Sequence, residues 1–283
     1  LRALLKALLD LLLYSNIWIA VAAVAMAAQT QLLLAGRFMP TPLIGFIFFA
    51  TLFLYAAHRI VGLARSRPFT ADGRYAVIAR FRSHIVFYAL IAGLCAGIFA
   101  LRLPLRLLGW SAAPCLVAAL YVAPVWRGLR LRDLPFVKIF LIALAWSWIT
   151  VALPAVEAGL SYAWPAHLMV LERAAFIFAI TLPFDIRDMK VDAYNGVKTL
   201  PSALGARASQ RLAGLALLLM FALAALNYYL NAYSLGQFAA LTASAALSGV
   251  LVFYAEEGRP DYYYTGLLDG MMVVQFVFIA LAG

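Results

Sequence analysis

Nine stretches of this chain are predominantly apolar over about the 20 residues a helix needs to cross a bilayer. They cover 14–35, 42–63, 84–101, 107–125, 137–155, 164–184, 209–230, 235–254 and 263–281. The runs are too long and too continuous for the alternating strands of a membrane barrel, which last about ten residues each. Breakers punctuate the joints, among them Gly36, Pro42, Pro68, Asp72-Gly73, Pro135, Trp164-Pro165 and Gly258-Arg259-Pro260. With 66% apolar and 12% charged residues, the chain departs far from soluble domains, which are roughly 45–50% apolar and about 25% charged. A cytosolic enzyme, a disordered regulator and a coiled coil are thereby excluded. The expected fold is all-α, a polytopic membrane bundle of about nine transmembrane helices forming one domain over 1–283.

The basic residues orient this bundle. With the N-terminus cytoplasmic, 17 Lys and Arg fall in cytoplasmic segments against only 3 opposite, namely Arg37, Arg102 and Arg106. Arg59 and Arg173 lie within or at the edge of spans. The split predicts a C-terminus outside, in what reads as a prokaryotic plasma membrane. The two longest loops, about 64–83 and 185–208, share the cytoplasmic face, where a membrane enzyme would place its chemistry. The net charge of +10 is spread over membrane-adjacent loops, which argues for contact with lipid or an anionic substrate and against nucleic acid. No protein partner is indicated. Cys95 and Cys115 sit in apolar runs and read as packing residues. His84 and His167 have no second ligand at helical spacing, so no zinc site is expected. The chain begins with Leu1 rather than methionine, which reads as a missing natural start.

Acids are scarce, and three of the twelve, Asp185, Asp188 and Asp192, fall at the end of the sixth span. On a continuous helix they occupy an arc of about 60°. Three carboxylates on one stripe repel, and hard oxygen ligands of this kind suit Mg²⁺, which commonly bridges one or two carboxylates to substrate phosphates. Arg187 and Lys198 stand beside the stripe, and Gly196 allows a tight turn before Lys198. The plain alternative is a solvated helix end.

The stretch Asp185, Arg187, Asp188, Asp192, Gly196, Lys198-Thr199-Leu200, continued by Pro201 and Leu204-Gly205, resembles the second aspartate-rich motif of the UbiA superfamily of intramembrane prenyltransferases. Tyr121 and Pro124, followed by Arg127, Arg130, Arg132 and Pro135, are similar to the basic loop after that family's fourth helix. The resemblance implies helices around a central cavity that takes a polyprenyl pyrophosphate with Mg²⁺. A prenyl group would pass to a lipid or aromatic acceptor. It further implies Asp185, Asp188 and Asp192 as metal ligands and, with Lys198, as catalytic residues. Arg187, Arg127 and Arg130 would be substrate-binding.

The family's first aspartate-rich motif should close the second span. That region instead reads Tyr55-Ala56-Ala57-His58-Arg59-Ile60, and no carboxylate lies between Asp10 and Asp72. His58 and Arg59 are the polar groups in its place and join the substrate-binding candidates. Three accounts are compatible with this. Arg59 and His58 replace a cation's role, the substrate or reaction is altered, or the protein binds isoprenoid lipid without prenyl transfer. Arg59 also reads as a side chain snorkelling to the interface. Asp269, inside the last span, is a further candidate because an acid within a span is costly. Glu172 and Arg173, adjacent in the sixth span, read as an interhelical polar pair.

Overall fold

The computed structural model describes residues 9–63, 78–123 and 130–283. Pro124, Arg127, Asp72-Gly73, and Arg65, Arg67 and Arg74 lie outside the described residues. The long helices are α1 (Ile17–Ala35), α2 (Pro42–Leu63), α3 (Arg82–Ala100), α4 (Leu105–Val122), α5 (Val137–Glu157) and α6 (Trp164–Arg187). The short α7 (Met189–Tyr194) and α8 (Leu200–Leu204) precede α9 (Ala206–Tyr229), α10 (Leu235–Phe253) and α11 (Tyr262–Ala282). Eight of these are long and apolar enough to cross a membrane by length and composition. The ninth long helix, α6, runs 24 residues. It carries Glu172 and Arg173 at mid-length, both 1% exposed. The predicted spans and these helices agree to within a few residues.

Neighbour packing closes a ring. α1 packs on α2, α2 on α4, α4 on α5, α5 on α6, α6 on α9, α9 on α10, α10 on α11, and α11 back on α1; α3 packs against α2. Within lipid each backbone polar group needs a protein partner, and this accounts for much of the cross-linking. Pro154 has no N–H to give the carbonyl four residues earlier. That carbonyl, on Thr150, instead accepts the Thr30 hydroxyl of α1 at 2.7 Å, and the same stretch of α5 opens into a π-helical turn, Trp148–Ala152. Pro114 likewise releases the Trp110 carbonyl, which accepts the Trp148 indole N–H at 3.0 Å and ties α4 to α5. The buried Arg173 donates to the Met26 carbonyl at 3.0 Å and to Thr150 Oγ1 at 3.2 Å, while Tyr233 donates to Glu172 at 3.1 Å. The pair is therefore built into the packing of α6 against α1, α5 and the α9–α10 connection.

Candidate functional site

One end of the ring carries the polar groups. α6 delivers Asp185 and Arg187 there, but the helix does not run on unbroken. Asp188 has φ −92° and ψ 4°, between α6 and α7. Its N–H still reaches the Phe184 carbonyl at 3.0 Å, and its own carbonyl accepts from Asp192 at 2.8 Å. The continuous stripe expected from helical spacing is therefore split. Asp185 and Asp192 face the same partner, whereas Asp188 turns to Arg187, which holds it through Nε at 2.8 Å and Nη2 at 3.2 Å. Arg187 also reaches Asp261 at 3.2 Å and lies over the rings of Phe184 and Tyr264, each 5.0 Å from the guanidinium carbon.

The partner shared by Asp185 and Asp192 is Lys138. Its ammonium lies 2.6 Å from Asp185 Oδ1 and 3.2 Å from Asp192 Oδ2, with all three side chains nearly shut from solvent. Local backbone puts it there. Phe136 adopts the left-handed region at φ 64° and starts α5, and its N–H bonds the Lys198 carbonyl at 2.9 Å. The start of α5 is thus fastened to the loop after α7, two residues before Lys138. Burial pushes the Asp192 carboxyl above the ordinary carboxylate range; the Lys138 ammonium opposes this and the charges of Asp188 and Asp185 add to it.

Across the end of the ring stand the residues of α2, α4 and the 3₁₀ turn Leu131–Asp133. Arg132 donates through Nη1 to the His58 ring, 3.2 Å from Nδ1 and closer still to Nε2, and its guanidinium lies 5.3 Å from the Tyr121 ring centroid. Because a guanidinium only donates, the His58 nitrogen it meets must accept, which requires the neutral imidazole. Arg130 forks onto Asp133 at 2.8 and 3.1 Å. Two buried donors, Arg130 Nη1 and Arg132 Nε, have no hydrogen-bond partner among the described residues. Arg59 donates to the carbonyls of Tyr14 and, at 3.5 Å, Leu13. Those carbonyls close a short helical segment that Asn16, at φ 65°, separates from α1.

These groups form the polar end of a cavity of about 350 Å³ that runs into the bundle. Trp18, Leu54, Tyr55, Ile142, Trp146, Ile177, Ile180 and Met272 line its apolar depth, and His58, Arg59, Arg130, Arg132, Arg187, Asp185, Asp188, Asp192 and Asp269 also face it. Lys198 is exposed and outside the cavity lining. Sequence reasoning missed Lys138 as a site residue, and Arg132 was read only as part of the basic loop. In the sequence both are two of the 17 charges that orient the bundle. A lysine just past Pro135, in a basic stretch, carries no sign of burial; only the tertiary contact with Asp185 and Asp192 distinguishes it.

No protein-family model and no curated protein matches the sequence. Solved structures do match. The backbone is similar to a digeranylgeranylglyceryl phosphate synthase, with TM-score 0.63, 15% identity and coverage of 98% of this chain and 99% of that one. It is also similar to a UbiA homologue from Archaeoglobus fulgidus bound to GPP and Mg²⁺, with TM-score 0.67, 11% identity, and 95% and 99% of the two chains covered. The fold is that of the UbiA superfamily. A UbiA homologue from the same organism bound to DMAPP and Mg²⁺ gives TM-score 0.64 at 12% identity, covering 95% and 98%. Eight apolar helices in a UbiA fold make the chain an integral membrane protein.

The donor set fits a resident Mg²⁺ poorly. Among the described residues no group of three or more His, Cys, Asp and Glu side chains is arranged to hold a metal ion. Asp185 and Asp192 share an ammonium, Asp188 is forked by Arg187, and the end of α2 offers His58 and Arg59 and no carboxylate. Mg²⁺ demands oxygen ligands at about 2.0–2.1 Å in near-octahedral array, and the ammonium already occupies the space between the two buried carboxylates.

Proposed function

We propose that the cavity binds a polyprenyl pyrophosphate at the cytoplasmic face of a prokaryotic plasma membrane and that the protein transfers the prenyl group to a lipid or aromatic acceptor. The observation that carries this reading is the shape and chemistry of this cavity. An apolar depth suited to an isoprenoid tail lies beneath a polar end with unpartnered, buried guanidinium donors. Breaking the C1–O bond of an allylic pyrophosphate leaves negative charge on the departing oxygens and an allylic cation. Donors fixed where that charge develops lower the barrier, and Arg130 and Arg132 stand at the polar end to supply them. The rings of Tyr55, Trp146 and Phe184 line the cavity and offer faces to a cation. The acceptor then attacks C1 and loses a proton. Mg²⁺ accompanies the prenyl pyrophosphates in the two Archaeoglobus structures. Here the basic side chains of the site carry the neutralising charge.

A second reading is binding of an isoprenoid lipid without transfer. It is favoured by the stretch Tyr55–Leu63, which holds His58 and Arg59 and no carboxylate. Release of pyrophosphate from a labelled polyprenyl donor, measured with purified protein and a panel of lipid and aromatic acceptors, separates the two. Turnover is expected in the native chain. It should fall about 10²-fold in Asp188→Ala and in Asp192→Ala, because each substitution unseats the basic side chain that its carboxylate positions, a loss of the size seen when one oriented donor is removed. Retained lipid binding with no pyrophosphate release would establish the second reading, and equal turnover in all three proteins would sink the assigned site.

A further inference from the structure

We infer that this chain handles the pyrophosphate without a divalent cation: the Lys138 ammonium stands between Asp185 and Asp192 as a fixed counter-ion, and Arg130 and Arg132 receive the anion. The inference rests on the pyrophosphate reading of the cavity and names how its charge is met.

Three observations converge. Lys138 bridges the two carboxylates at 2.6 and 3.2 Å, and the side chains of Lys138, Asp185 and Asp192 are 9%, 2% and 7% exposed. An ammonium so enclosed is ion-paired to both carboxylates and hydrogen-bonded to Asp192. A buried charge keeps its place only when it is paired and hydrogen-bonded. Asp188, the third acid, is committed to Arg187, which is itself held by Asp261. On the facing arm Arg132 meets the neutral His58 ring, so a basic side chain there faces a ring nitrogen and not a carboxylate.

The second half of the inference follows from what is left unsatisfied. Arg130 and Arg132 line the cavity, and each keeps one buried donor, Nη1 of Arg130 and Nε of Arg132, with no partner among the described residues. Buried donors are normally bonded, and a guanidinium presents a planar fork suited to phosphate oxygens. A pyrophosphate lodged at this end would meet Arg130 and Arg132 on one side. On the other it would face Lys138, which the two carboxylates hold in place as the anion enters and leaves. A divalent cation in the same gap would have to displace that ammonium.

The test uses the full chain in lipid nanodiscs and, as probe, geranyl S-thiolodiphosphate, which resists cleavage. Affinity in EDTA and in excess MgCl₂ is expected to agree within about threefold for the native protein. Lys138→Met should lose about tenfold or more in EDTA, the scale of one charge-assisted hydrogen bond. It should recover in MgCl₂, because two carboxylates become available to metal. Electron paramagnetic resonance of added Mn²⁺, without the probe, should show no tight site in the native protein and one in Lys138→Met. Lys138→Arg keeps the charge and should keep metal-independent binding; it decides the matter should Lys138→Met fail to fold. Native binding that appears only with MgCl₂ overturns the inference and leaves the pyrophosphate reading standing. Absence of binding in both buffers removes that reading, and the inference with it.

Discussion

The carbonyl of Thr150 shows how single residues hold this molecule together. Pro154 strips it of its helical donor, and the Thr30 hydroxyl supplies a replacement from another helix at 2.7 Å. Thr30→Val keeps the volume and deletes the donor, leaving a buried carbonyl unpaired. The expected cost is about 1–3 kcal/mol, read as a lowered midpoint of thermal unfolding in detergent. Thr30→Ser, which retains a hydroxyl, should stay near the native midpoint, and equal midpoints for the native protein and Thr30→Val would show that the hydroxyl does no such work. Residues of this kind differ in how far the sequence betrays them. Asp185, Asp188, Asp192 and Arg187 stand out because charges clustered at the end of an apolar run demand a reason. Thr30 and Lys138 do not stand out, since threonine is unremarkable in a span and lysine is expected at a membrane edge. Their roles exist only in the pairing of distant segments. The doubt left by Arg59 is answered in the same way: its guanidinium serves the carbonyls at Leu13 and Tyr14 while lining the cavity.

Elements were legible to within a few residues because a bilayer fixes their length and the breakers fix their ends. The predicted 42–63 is Pro42–Leu63, and 235–254 is Leu235–Phe253. What periodicity does not carry is local winding: the break at Asn16, the π turns in α5 and α11, and the interruption at Asp188. Close approach between elements makes its own prediction. A methyl group at Gly236 of α10 would lie 2.8 Å from the backbone oxygen of Ala282 in α11, whereas one at Gly214 of α9 would meet only the Phe253 ring at 3.4 Å. Gly236→Ala should therefore force the helices apart at about 1–3 kcal/mol. Gly214→Ala should be neutral or stabilising by about 0.5–1 kcal/mol, as expected for replacing a helical glycine. Thermal unfolding of the two variants side by side checks this, and equal midpoints would show that α10 and α11 have room to spare.

At the scale of the whole molecule, the polar end of the cavity and the α5–α6 connection lie at opposite ends of α6, roughly 35 Å apart at 1.5 Å per residue. From the charge asymmetry we propose that the first of these faces the cytoplasm. In a background with Cys95 and Cys115 replaced by alanine, Asn195→Cys should react with a membrane-impermeant maleimide only from the cytoplasmic side and Tyr162→Cys only from the other. Both native positions are exposed. Labelling of both from one side would reverse the reading of the basic loops. The fold as a whole was within reach of the sequence, because the number, length and flanking charge of the spans leave few alternatives. The site was within reach only on its acidic half, because the basic half is assembled from α2, α4, α5 and a 3₁₀ turn that meet only in three dimensions.

The buried Arg173 also bears on how such a chain is made. A lone arginine at mid-bilayer costs about 2.5–3.5 kcal/mol on insertion, and α6 carries Glu172 beside it. The acceptors Arg173 uses, the Met26 carbonyl and the Thr150 hydroxyl, belong to α1 and α5, both synthesised earlier. As the chain leaves the ribosome, α6 can therefore settle into the bilayer against helices already in place, so that the order of synthesis and the order of assembly coincide at the helix that delivers Asp185 to the site.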